Sequence, residues 1–326
     1  MKLSQKGLVP LIIIIVVATI TIVITLTSRF NKIPIATPIP TPFFESSSSA
    51  IPSAIPSTTP STTPSVTPKA IPIVSPISKP SATAIPTPQP VTQNTPPGLG
   101  YSRQAVQSDA GTFTVSIVAA DLNSTKVIVD TASDSSCSSN CPVLSLADYV
   151  GRNGAFAGVN GSYFCPRDYA SCAGKENSFD TLLMNKNKVY FNSDNNVYST
   201  VPAAIFYPGG ARFVGQSLEW GRDTSVDAVI ANHPLLVAGG QVVFGGNDDP
   251  KQGSKGNRSF IAVKGNTIYI GVAHSATVAE SARVMKALGM DSALNLDNGG
   301  SSALWSGGYK VGPGRSLPNA VLFVRR

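Results

Sequence analysis

Leu294-Asn295-Leu296-Asp297-Asn298-Gly299-Gly300-Ser301-Ser302 is the stretch from which both the fold and the chemistry of this chain are read. Leu294 and Leu296 alternate with polar residues, the period of a half-buried strand. Asn298-Gly299-Gly300 then forces a sharp turn. Such a turn leaves several backbone N–H groups aimed at one spot, a nest suited to an oxyanion or a phosphate. Asp297 stands at the strand end beside it, so one carboxylate borders a polar, glycine-lined hollow. The plain alternative is an aspartate that only accepts the N–H groups of its own turn.

Outward from this point the 99–326 region reads as mostly strand. Asp291–Leu296 is the strand that carries Asp297, and Asn319–Val324 closes the chain. Upstream, Thr277 followed three residues later by Glu280 is a capping box, opening a helix to about Leu288 that stops at Gly289. Ser259–Val263 and Thr267–Val272 form a hairpin around Lys264-Gly265-Asn266. Pro234–Phe244 reads as one strand bent at Gly239-Gly240, and Val201–Tyr207 and Asp227–Ile230 add two more. Leu144–Arg152 has helical spacing and leads into a strand over Ala155–Val159. Phe113–Ala120 and Lys126–Asp130 read as a hairpin turning at Leu122-Asn123-Ser124. Strands dominate and helices are few and interspersed, so the expected class is α+β, a strand-rich single domain. No internal repeat is visible.

The first third of the chain is different. Leu8–Leu26 is an apolar run of nineteen residues interrupted by Pro10 and three threonines, about the length that spans a hydrocarbon core. A cleaved signal peptide is the rival, but it would have a shorter apolar region and a small-x-small cleavage site. Thr25-x-Thr27 is a poor one, so residues 1–32 are expected to be an uncleaved transmembrane anchor with its flanks. From 33 to 98 the chain is Pro, Ser, Thr, Ala and Ile. Proline bars helix and ladder alike, and so few apolar residues cannot offset ordering entropy. An extended, disordered stalk is expected there, with a C-terminal domain at 99–326 on the outer side of a cell membrane.

Charge supports this division. The whole chain carries +7, but residues 1–98 hold six Lys/Arg and one Glu. The remainder has 19 basic and 17 acidic residues, a net charge of only +2. No clustered basic face or basic-aromatic interleaving is present, which argues against nucleic acid as a partner. Cys137, Cys141, Cys165 and Cys172 are the four cysteines. An even number beyond an export segment points to two disulfides in an oxidising compartment, and three pairings are open. A Cys₄ zinc site is the rival; Cys-x₃-Cys and Cys-x₆-Cys fit its usual spacing poorly. The disulfides are expected to tie the loop around Ser138 to that around Asp168.

Other segments are candidates to join Asp297. In Gly158-Val159-Asn160-Gly161-Ser162-Tyr163-Phe164 a strand ends in Asn-Gly before two aromatics. An asparagine amide can bond sugar hydroxyls from both ends, and an aromatic can stack on a sugar face. Arg258, in Gly256-Asn257-Arg258-Ser259, leads into a strand, where a guanidinium can grip a phosphate in two-pronged fashion. Arg315 sits in the Gly/Pro loop Gly312-Pro313-Gly314-Arg315. Each has a plain structural alternative, a turn over a core Phe or a solvated arginine. A histidine-based triad with Ser301 or Ser302 finds no support in the spacing of His233 and His274.

As an ordered set these pieces resemble the phosphodiester glycosidase domain family over most of residues 100–326. Val159-Asn160-Gly161-Ser162-Tyr163-Phe164 is similar to the family's Asn-Gly-x-aromatic-Phe. Ala231-Asn232-His233-Pro234-Leu235-Leu236-Val237 follows, then Arg258, the helix with Ala279-Glu280, and the Asp297 run, which is the most specific. Arg315 with Pro318-Asn319-Ala320 completes the order. Two departures stand out. Asn298 replaces a family glycine, and Gly-Asn-Arg-Ser stands around Arg258 where the family tends to have His-Pro-Arg-Thr.

The resemblance implies a hydrolase acting on a sugar joined through its anomeric carbon to a phosphodiester. A phosphate ester leaves readily, so general-acid help matters less than for an ordinary glycoside, which needs two carboxyl groups. Asp297 and Arg258 are the expected catalytic residues. Asn160, Gly161, Gly299, Gly300, Ser301, Ser302 and Arg315 are the expected substrate-binding residues, with the Gly299-Gly300-Ser301 backbone cradling phosphate. Glu280 is a conceivable second carboxylate, with helix capping its expected duty. No cofactor is required, although the oxygens of Asp297 and Asn298 would suit a divalent cation. The expected partner is a carbohydrate phosphodiester or glycopolymer. The competing class is a non-catalytic surface module that binds anionic glycopolymer or wall phosphate with the same loops.

Overall fold

The structure, a computed structural model, describes residues 94–193 and 200–326. The expected anchor, and all of the expected stalk up to residue 93, lie outside the described residues. Among the described residues no helix is long and apolar enough to cross a membrane.

The described residues begin with β1 (Gly100–Ser108), β2 (Gly111–Asp121) and β3 (Thr125–Thr131), then α1 (Leu146–Asn153) and β4 (Ala157–Asn160). Next come β5 (Leu183–Met184), β6 (Tyr190–Phe191), β7 (Ala203–Tyr207), β8 (Gly210–Val214) and β9 (Ala228–Ala231). β10 (Leu235–Ala238), β11 (Gln241–Val242), the short α2 (Pro250–Gly253), β12 (Gly256–Lys264) and β13 (Thr267–Ala276) follow. α3 (Val278–Ala287), β14 (Ser292–Asn298), β15 (Leu304–Ser306), β16 (Tyr309–Val311) and β17 (Asn319–Arg325) complete the fold. It is strand-rich, with three α-helices among the described residues.

The strands form three antiparallel sheets. Seven run in the order β1-β2-β13-β12-β14-β10-β11, five in the order β16-β15-β4-β17-β3, and five in the order β6-β5-β9-β7-β8. One core joins all three. Ile261, Val263, Leu294 and Leu296 of the first sheet pack with Val127, Val159 and Val321 of the second and with Leu183, Phe206 and Ile230 of the third. Period-2 alternation sends Phe260, Ala262 and Ala293 to the opposite face, where α3 covers them with Val278, Ala282 and Met285. On the outer side of the second sheet, Leu146, Tyr149 and Val150 of α1 cover Ile128, Ala320 and Leu322.

Both long helices begin as their sequences dictate. Thr277 accepts the Glu280 amide while the Glu280 carboxylate accepts the Thr277 amide, and Ser145 and Asp148 do the same for α1. The hairpin at Gly265-Asn266 is present, with Lys264 opposite Thr267.

Three expectations need correction. β2 and β3 are not a hairpin: β2 lies between β1 and β13, whereas β3 pairs with β17 in another sheet. The link between them is pinned to both sheets, the Leu122 amide donating to Asn266 O and the Arg326 amide to Ser124 O. Pro234–Phe244 is a hairpin, not a bent strand. Gly239 and Gly240 both have positive φ, at 54° and 73°, and set Ala238 opposite Gln241, the geometry of a two-residue turn matched to strand twist. The disulfides are Cys137–Cys141 and Cys165–Cys172, each closing its own loop. The two loops are joined by hydrogen bonds instead. The Cys141 amide donates to Glu176 O, and Asn177 Nδ2 to Cys141 O.

The first two sheets are stitched where β4 and β14 end. The Asp297 amide donates to Gly161 O at 2.9 Å, and Asn160 Nδ2 donates to Asp297 O at 2.7 Å. Gly161 in turn donates its amide to Asn319 O, at the start of β17. The approach is so close that a Cβ on residue 161 would lie 1.7 Å from Asn319 Oδ1. Gly161→Ala should therefore destabilise the domain by at least ~2 kcal/mol and lower its melting temperature by roughly 5 °C or more, checked by thermal denaturation.

Candidate functional site

A cavity of about 450 Å³ opens beside this stitch. Asp297, Asn298, Gly299 and Gly300 line it together with Arg258, Lys251 and Lys255 and with Tyr163, Asp180 and His233. The loop closed by Cys165 and Cys172 contributes Tyr169 to the rim, near Arg315.

Asp297 arrives from β14 with its backbone fixed on both sides, so the carboxylate alone is left to face the cavity. Oδ1 accepts the Asn298 amide at 2.8 Å. Ser301, fully buried and with no formed hydrogen bond on its hydroxyl, faces the same carboxylate and, with Asn298 and Arg315, favours its charged form. Burial outweighs these, and the nearby Asp180 adds to it, so Asp297 is pushed up to about 6.

Gly299 and Gly300 begin a single 3₁₀ turn, where the first amides have no acceptor within the turn. Gly299 has φ 60° and needs to be glycine for that reason. Asn298, by contrast, is extended at φ −125°, so left-handed geometry is not asked of it. Its side chain is knitted into the wall: Oδ1 accepts the Ser259 amide, and Nδ2 donates to the Tyr163 hydroxyl and to Asn295 Oδ1.

Arg258 comes from β12, on the face shared by Phe260, and is only 4% exposed. Three backbone carbonyls hold it, with Nε donating to Ala276 O and Nη2 to Lys251 O and Ser254 O. No carboxylate lies within ion-pair distance of it, and Nη1 has no partner among the described residues. One prong of the expected two-pronged grip is thus spent on the protein, leaving Nη1 for a ligand. Arg315 lies against Gly300, where a Cβ would come within 2.8 Å of Nη2. Its guanidinium pairs with the exposed Asp168 at 3.2 Å and sits 5.2 Å from the Tyr169 ring centroid. Lys251 Nζ approaches the same ring at 4.8 Å.

The remaining expected residues lie behind the cavity wall. Asn160 is fully buried. Its Nδ2 is used on Asp297 O, and its Oδ1 accepts Ser259 Oγ at 2.7 Å and the Ala303 amide at 3.1 Å. With both amide ends engaged it is a brace, not the sugar contact expected. Gly161 is buried at the stitch, and Ser301 and Ser302, both buried, end and cap the 3₁₀ turn, Ser302 Oγ donating to Asn257 O. Glu280 caps α3 and pairs with Lys255 at 2.5 Å. His274 bonds Ser116 and Asn257 and makes no hydrogen bond to Ser301 or Ser302.

Two cavity residues carry chemistry that the sequence reading did not assign. Asp180 is a second carboxylate on the cavity; the protein around it raises its pKa, opposed by Lys175, His233 and Lys251. It falls in a stretch of bends without periodicity, so no pattern marks it. Tyr163 stood in the Asn-Gly block, but only as a stacking ring. Its hydroxyl instead accepts Asn295 Nδ2 at 2.8 Å and Asn298 Nδ2 at 3.1 Å. Among the described residues no group of three or more His, Cys, Asp or Glu is placed to hold a metal ion.

A profile of the phosphodiester glycosidase family matches residues 153–324, more than half of the chain, and takes in every residue of this cavity. The chain belongs to that family. No curated protein matches it. Among solved structures, the catalytic domain of zebrafish N-acetylglucosamine-1-phosphodiester alpha-N-acetylglucosaminidase, auto-inhibited by its pro-peptide, is similar in fold. Its TM-score is 0.54 at 12% identity, covering 73% of this chain and 87% of that one. A hypothetical protein from Synechocystis gives TM-score 0.54 at 15% identity and 69% coverage of this chain. The present chain spans 62% of that protein's length. At such identities the likeness speaks for the fold. In this phosphodiester glycosidase domain the two disulfides suit an extracellular setting.

The raised Asp297 carries a stability consequence with a definite sign. Between its unfolded value of 3.8 and its folded value of about 6, the folded chain binds the extra proton. Stability contributed by this group therefore falls as pH rises through that window. Asp297→Asn, which keeps an acceptor for the Asn298 amide, should melt at an equal or higher temperature than the wild type at pH 7.5. The difference should shrink toward pH 4, as melting curves across that range would show.

Proposed function

We propose that this phosphodiester glycosidase domain hydrolyses a sugar 1-phosphodiester at the anomeric carbon, working outside the cell on a membrane-anchored stalk. The observation that carries the reading is that Asp297 and Asp180 line one cavity together with a buried arginine that has no carboxylate partner among the described residues. A guanidinium held by neutral oxygens keeps its full charge, which favours an anionic ligand there. Two carboxylates on the same cavity are what glycosyl transfer to water requires.

In this mechanism the phosphate lies against Arg258 Nη1, Arg315 and the amides of Gly299 and Gly300. These donors meet the charge that grows on the departing oxygen. The sugar lies toward Asp297, whose ionised carboxylate stabilises the positive charge developing at the anomeric carbon. The bond from that carbon to the phosphoryl oxygen breaks, and its electron pair leaves with the phosphate ester. Water forms the new bond and passes its proton to Asp180. Asp297→Asn should abolish turnover. A module that only binds glycopolymer would retain ligand without releasing product, and it would have no use for the second carboxylate.

Hydrolysis in ¹⁸O-labelled water tests the bond cleaved. The label should appear in the sugar hydroxyl; label in the released phosphate would overturn the reading. kcat/KM should rise to a plateau through about pH 6 as Asp297 ionises. Arg315→Gln should weaken binding of a sugar 1-phosphate by about tenfold, the loss of one charge-assisted hydrogen bond, read by titration calorimetry.

A further inference from the structure

The amide orientations around Tyr163 are fixed by their other partners. Asn295 Nδ2 faces His233 O at 3.0 Å, a pure acceptor, so the nitrogen belongs on that side. Asn298 Oδ1 faces the Ser259 amide at 3.1 Å, a pure donor, so its nitrogen must face Tyr163. Both amides therefore donate to the phenol oxygen and fill its acceptor positions. The hydroxyl hydrogen has no acceptor among the described residues and is left to the cavity that Tyr163 lines. Burial and the Asp297 charge hold this phenol at about 12, so it keeps its proton at neutral pH. Asn298, whose amide it accepts, follows Asp297 in β14 and pairs with Arg258 of β12, so the phenol lines the cavity together with that carboxylate and that guanidinium.

With the anomeric carbon toward Asp297 and the phosphorus toward Arg258, as proposed above, the oxygen that bridges them lies in the part of the cavity that Tyr163 lines. We infer that Tyr163 is a catalytic residue, a neutral hydrogen-bond donor to this bridging oxygen, aimed by the paired amides of Asn295 and Asn298. The inference rests on the function proposed above and adds to it a residue and a role. As the carbon–oxygen bond lengthens, the electron pair collects on the oxygen that Tyr163 contacts. The phenol strengthens its hydrogen bond without giving up its proton, because the departing phosphate ester is far too weak a base to take it. The two amide N–H groups keep the phenol from turning away, so the donor needs no reorganisation during the reaction.

The decisive variant is Tyr163→Phe, which keeps the ring packed at 4.9 Å edge-on to His233. On a sugar 1-(phenyl phosphate) diester, kcat should fall by about 10²-fold or more with KM changed by less than about threefold. The loss should be smaller on the 4-nitrophenyl analogue, whose leaving oxygen carries less charge. A kcat within threefold of the wild type, or an equal loss on both substrates, overturns the inference. Should Tyr163→Phe fail to fold, Asn298→Ala keeps the phenol and removes one aiming amide; an intermediate fall in kcat supports the inference and an unchanged kcat overturns it. A wild type that turns over neither substrate sinks the proposed function instead. The donor is then read by titration with a hexose 1-phosphate, where about tenfold weaker binding to Tyr163→Phe supports it and equal binding overturns it.

Discussion

The hydrogen bonds between residues 160–161 and Asp297 are the constraint on which the rest of the domain depends. Strands of two different sheets meet there end to end, and each would otherwise finish with unpaired backbone groups in a buried place. Asn160 supplies the donor for Asp297 O, Gly161 the acceptor for its amide, and Asn319 the floor beneath. Only glycine permits the approach. With the backbone of Asp297 engaged on both sides, the Asn298 amide holds the carboxylate itself in place on the cavity. The junction that closes the core is thus also the device that aims the acid.

The cavity is electrostatically divided. Carbonyl oxygens from α2 and β13 hold Arg258 without neutralising it, while Asp297 sits where burial resists its charge. Each group is poorly compensated alone and complementary to the other's ligand. A zwitterion of that kind does not collapse into a salt bridge because both partners are fixed by backbone bonds.

Local signals were legible in the sequence, and non-local ones were not. The capping box at Thr277, the Gly265-Asn266 turn and the strand ending at Asp297 each depend on residues within a few positions. Assignment of strands to sheets is another matter. Leu122-Asn123-Ser124 has the composition of a hairpin turn, yet its hydrogen bonds with Asn266 O and the Arg326 amide, far along the chain, make it a crossing between sheets. Asn160 was recognisable as an amide at a strand end, but whether it serves a ligand or a backbone is decided by what β14 brings against it. Asp180 carries no periodicity at all and is held at the cavity by long-range bonds, its amide donating to Tyr163 O and the neighbouring Thr181 hydroxyl to Ala231 O. Disulfide pairing escaped for the opposite reason: the short-range pairing was realised, and the contact expected of sulfur is made by Asn177 and Glu176.

The ring closed by Cys165 and Cys172 has a thermodynamic meaning that its small size makes easy to overlook. A covalent loop of so few residues removes little freedom from the unfolded chain, so it adds modestly to global stability. Its effect falls on the segment bearing Asp168 and Tyr169, which meet Arg315 at the cavity mouth. Part of the entropy that an open strap would forfeit upon capturing a ligand has already been surrendered at oxidation, and preorganisation of that sort tightens association without adding a single contact.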